Sequence, residues 1–125
     1  MSNKKLLSYW KKILKLNDWK IKLVENCCQQ DMSSSVDVSG EVEYDDVHSC
    51  AVIRMLDKKY YGKRILPYDF EKTLVHELLH IKFWFLDRSE NLLQNREVHR
   101  LIDELAVAFV YEKNLRGKNA RRLHK

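Results

Sequence analysis

No stretch of this sequence stays apolar long enough to span a bilayer. The N-terminal stretch MSNKKLLSYWKKILKL is broken by lysines too often to form the core of a secretion signal. A cytoplasmic location is therefore expected, with no membrane partner. Cysteine is sparse: only Cys27, Cys28 and Cys50 occur, and no C-x-x-C knuckle is present. That argues against a cysteine zinc site, and an odd count without an export signal points to reduced thiols. Internal repeats and domain linkers are also missing, so the 125 residues are read as one domain around one core.

The chain is otherwise ordinary, with 45% apolar and 33% charged residues. Its net charge of +5 is unevenly placed. Residues 1–25 carry +5, residues 26–114 carry −5, and residues 115–125 carry +5 again. The basic ends are read as a solvated helix face and a tail, and nucleic acid is not expected as a partner. The domain is bounded at 1–114, with 115–125 as a basic C-terminal tail.

Leu6, Leu7, Trp10, Ile13, Leu14 and Leu16 recur at helical spacing, which predicts an amphipathic helix over 4–16. Trp19 to Val24 alternates apolar and basic residues, as a strand with one buried face does. Residues 25–39 are polar and serine-rich, and read as a loop. Val42 and Tyr44, then Ala51, Ile53 and Met55, alternate again, and Asp45-Asp46 can turn the chain between them. A hairpin added to the first strand gives a three-stranded, mainly antiparallel sheet. Asp69 is a candidate cap for a helix running to about Leu86, with Glu71 in its first turn. Asp87 to Asn91 reads as a turn, and a last helix follows from about Leu92 to Asn114. The expected class is α+β.

The helix over 69–86 contains HELLH, from His76 to His80. Residues four apart on a helix share a face, so the two imidazoles can hold one metal ion, zinc being the expected one. Glu77 then sits beside the ion rather than on it, and can accept a proton from a metal-bound water. Leu74, Val75, Leu78, Leu79, Ile81, Phe83 and Phe85 make this helix apolar nearly all round. Two histidines and a glutamate in such surroundings are costly without a partner that uses them.

A catalytic zinc site takes a third protein ligand as well. If the last two helices form an antiparallel hairpin, the midpoint of 80 and 99 falls within the turn Asp87–Asn91. His99 is then level with His80, and Asp103 with His76. His99 is favoured as third ligand, with Asp103 orienting an imidazole. Glu97 and Glu104 stay open as alternatives, although both point away from that face.

EKTLVHELLHIKF followed by VHRLIDELAVAFV resembles the minimal gluzincin-type zinc peptidases, including small proteins of bacteria and their phages. The resemblance covers roughly residues 40–112. It implies a minimal zincin-like fold: an N-terminal helix, a short mixed sheet, the HExxH helix and a second metal-binding helix. It also implies His76 and His80 as ligands and Glu77 as general base. The family usually places a glutamate where His99 stands here. Peptide would lie along a strand edge near the HExxH helix, for which Ala51–Leu56 is the candidate. Tyr60, Tyr61, Tyr68 and His48 are candidate oxyanion donors. The expected function is a zinc metallopeptidase acting on a peptide or protein substrate. The alternative is a non-catalytic, zinc-stabilised interaction domain of a phage or mobile-element protein. Oligomeric state is left open.

Overall fold

The computed structural model describes residues 1–33, 38–87 and 92–123. The elements run α1 (Asn3–Ile13), β1 (Lys20–Cys27), β2 (Gly40–Asp45), β3 (Cys50–Leu56), α2 (Phe70–Lys82), α3 (Trp84–Asp87) and α4 (Leu92–Leu123). The class is α+β, with four helices and one three-stranded sheet among the described residues. None of these helices is long and apolar enough to cross a membrane. Residues 34–37 of the expected loop and 88–91 of the expected turn lie outside the described residues.

Ser2 caps α1 by accepting the Lys5 N–H at 3.2 Å. The helix stops at Ile13 rather than Leu16 because Lys15 takes a left-handed φ of 57° and the Leu16 N–H returns to the Lys11 carbonyl at 2.7 Å. That tight end turns Leu14 and Leu16 inward beside Trp10 and Trp19.

The sheet order is β1-β3-β2. β2 and β3 form the expected antiparallel hairpin, in which Asp45 accepts the Val47 N–H at 3.0 Å. β1, however, pairs with β3 in parallel, from Lys20 opposite Cys50 to Val24 opposite Arg54. The sheet is therefore mixed, not mainly antiparallel. Side-chain alternation dictates which face of a strand is buried and leaves its neighbour undetermined. One face carries Ile21, Leu23, Val42, Ala51, Ile53 and Met55 against the helices. Leu56, Cys27 and Met32 form a smaller cluster at the end of the sheet.

α2 is the central helix, burying Leu74, Val75, Leu78, Leu79 and Ile81. Asp69 caps it, accepting the Lys72 N–H at 3.0 Å. It ends at Lys82, four residues before the expected Leu86, where Phe83 leaves helical geometry and its N–H caps the carbonyls of Ile81 and Leu79. Phe85, expected inside, is 58% exposed on α3. α4 packs on α2 through Val98, Ile102, Ala106 and Val110. It runs on to Leu123, so the segment expected as a tail after Asn114 is helical up to that residue.

Glu71 joins three helices. Its carboxylate accepts the Trp10 indole N–H at 2.8 Å and meets the Lys113 ammonium at 2.9 Å.

Candidate metal centre

The core-facing residues of α2 leave one stripe over: Asp69, Thr73, His76, Glu77 and His80, at helical spacings of three and four. That stripe lines a cleft of about 660 Å³. The opposite wall is α4, which contributes His99, Asp103 and Val107, each four residues after the last. Strand β2 closes a third side with Gly40, Glu41, Val42 and Tyr44.

In the wall of the cleft three imidazoles converge. His76 Nε2 and His80 Nε2 are 3.1 Å apart. The His99 ring centroid lies 4.9 Å from that of His76 and 5.3 Å from that of His80. One nitrogen from each ring falls within 4.8 Å of the other two. Ligand nitrogens about 2.0–2.1 Å from a tetrahedral ion sit roughly 3.3 Å apart, so small side-chain movements bring the three into coordinating geometry. Among the described residues no fourth His, Cys, Asp or Glu joins this group. The histidines face the cleft, so an ion held by them would be open to it on that side.

Asp103 stands behind the cluster. His76 Nδ1 lies 2.6 Å from Asp103 Oδ1, while His99 Nε2 is 4.0 Å from Asp103 Oδ2. The carboxylate accepts from Nδ1, which leaves the Nε2 lone pair of His76 directed at the cluster. Burial, and then the adjacent His80, push the His76 pKa down from 6.5 to about 4, against the pull of Asp103. The ring is therefore neutral at physiological pH, the form that binds metals. Glu77 is buried at 6% exposure, and it lines the same cleft.

In space His76 meets Asp103 as the register expects, while His99 lies against both His76 and His80, slightly nearer to His76. Glu97 and Glu104 do not join the histidines; both are exposed, and Glu104 pairs with Arg100 at 3.3 Å. Of the four oxyanion candidates, Tyr61 lines the cleft, with its hydroxyl donated to the Leu66 carbonyl at 2.6 Å. The Tyr68 hydroxyl goes to the Leu56 carbonyl at 2.8 Å, and His48 pairs with Asp45 at 2.6 Å in the hairpin turn. Tyr60 is exposed.

The strand expected to receive peptide needs correction. Ala51–Leu56 lies in β3, whose two edges are taken by β1 and β2. The edge strand bordering the cleft is β2, and nothing in the sequence announced that order.

Compared with family models, curated proteins and solved structures, the chain matches none.

Proposed function

We propose that the protein is a zinc-dependent peptidase of minimal zincin-like type, with His76, His80 and His99 as ligands and Glu77 as general base. The observation that carries this reading is the convergence of three imidazoles beside the buried Glu77 in one open cleft. Three nitrogen donors with one open position suit a catalytic zinc site, whereas structural sites are closed by four protein ligands.

Zinc held there would polarise a substrate carbonyl and lower the pKa of water toward neutrality. Glu77 takes the proton from the attacking water and delivers it to the departing amine. Asp103 keeps the His76 ring in the Nδ1–H tautomer, so that Nε2 remains a donor. The β2 edge holds an extended segment of polypeptide by main-chain hydrogen bonds, and alternate side chains of that segment face Val42 and Tyr44 along the cleft.

Two substitutions test this. Glu77→Gln is expected to keep zinc affinity and fold while abolishing cleavage of a mixed peptide library read by mass spectrometry. His99→Ala is expected to lose zinc affinity and activity together. Unchanged zinc affinity in His99→Ala removes the ligand assignment. Wild-type cleavage by Glu77→Gln removes the general base.

A further inference from the structure

The outer face of α4 carries a stripe of which the cleft accounts for Val107 alone. Residues 104, 107, 111, 115 and 118 are Glu, Val, Tyr, Leu and Lys. Val107, Tyr111 and Leu115 are 53%, 67% and 40% exposed. They lie across the helix from Ile102, Ala106 and Val110, which face the core. An exposed apolar row on a 32-residue helix is a surface suited to another helix.

The order of residues on this stripe says which helix. It is symmetric about Tyr111 in apolar character and antisymmetric in charge. Four residues before and after Tyr111 stand Val107 and Leu115; seven before and after stand Glu104 and Lys118. Four and seven residues are about 6 and 10.5 Å along the helix, so all five positions share one contact line roughly 21 Å long. A pattern of this kind is complementary to itself when a second copy runs antiparallel. A two-fold axis at Tyr111 sets Val107 against the partner's Leu115 and Glu104 against the partner's Lys118. A parallel pairing would oppose Glu104 to Glu104 and Lys118 to Lys118.

We propose that α4 is the interface of a symmetric antiparallel homodimer centred on Tyr111. Glu104 can take part because its present bond to Arg100 is a solvent-exposed pair, 71% and 64% exposed, of a kind that contributes little. Val107 belongs both to the stripe and to the cleft wall, so the second copy sits along the rim of the cleft.

The proposal is tested on the full chain by sedimentation equilibrium over micromolar to sub-millimolar concentrations. The mass is expected to rise with concentration from 15.0 kDa toward twice that value, with or without chelator. Tyr111→Glu is expected to stay monomeric throughout, with unchanged far-UV circular dichroism because its side chain is exposed. Glu104→Lys and Lys118→Glu should each weaken association severalfold, and the double substitution should restore it. In a parallel pair neither single reversal would matter, because each replaces one like-charged contact by another. A mass fixed at the monomer value, a dimer that survives Tyr111→Glu, or single reversals without effect each overturn the proposal. None of these outcomes bears on zinc affinity.

Discussion

His76 Nδ1 and Asp103 Oδ1, on two different helices, stand 2.6 Å apart. This bond fixes both the rotation and the tautomer of an imidazole in the cluster whose side chain is only 15% exposed. Asp103 is itself 59% exposed on its side chain, so its removal leaves no cavity. Asp103→Ala is expected to weaken metal affinity by about 10- to 100-fold, the usual effect of losing a carboxylate behind a histidine ligand. Competition with a chromogenic chelator measures the affinity. The urea midpoint of the metal-free form should barely move, which separates an orienting role from a structural one.

A second expectation concerns acid. His76 titrates near 6.5 in the unfolded chain and at about 4 when folded, chiefly because burial disfavours the cation. Between those values the unfolded chain binds the additional proton. The stability of the metal-free protein is therefore intact above the unfolded pKa and declines as pH falls from about 6.5 to about 4. Urea denaturation in the presence of chelator, compared at pH 7 and pH 5, measures this, and His76→Gln should flatten the difference. Metal at 100 times its dissociation constant should add about 2.7 kcal/mol at neutral pH, provided that it binds only the folded chain. That increment should shrink in acid, because protons compete for the same nitrogens.

Gly40 supplies a third. It opens β2 directly under α2, where an added Cβ would stand 2.8 Å from Thr73 Cγ2 and 3.2 Å from Met55 Sδ. Gly40→Ala is expected to cost roughly 1–3 kcal/mol through overpacking, read as a lower urea midpoint. Thr73→Ser removes the obstructing methyl group, so the double variant should recover part of the loss. If Thr73→Ser gives no recovery, the close approach of strand and helix is not the cause.

The candidate site was more legible than the sheet, for a physical reason. A helix has one period, and two antiparallel helices joined by a short connection have few registers. His76, His80, His99 and Asp103 could therefore be placed together from their numbers. Strands carry no comparable signal of partnership. Ala51, Ile53 and Met55 showed which side of β3 is buried, but not that β1 would lie parallel on one edge and β2 antiparallel on the other. The helix ends misled in opposite directions. Trp84, Phe85 and Leu86 continue an apolar run, yet α2 stops at Lys82. The basic segment after Asn114 reads as a tail, yet α4 continues through it, Gly117 included, to Leu123. A helical glycine costs only about 1 kcal/mol, and helix-favouring neighbours such as Leu115, Arg116 and Lys118 outweigh that.

The three-way contact of Glu71 has a bearing on how the protein breathes. It clasps the start of α2 to Trp10 and to Lys113, far along α4, while the histidines sit toward the other end of the same helix pair. The pair is thus fastened at two places without metal, by Glu71 at one end and by the His76–Asp103 bond toward the other, and an ion held by the three histidines would reinforce the second. Amide exchange in the metal-free protein should accordingly be graded along α2: slow near Leu74, which is fully buried beside the clasp, and faster from His80 to Lys82, where the helix ends. Loading the site would reduce that gradient by stiffening the end that His76 and Asp103 already hold.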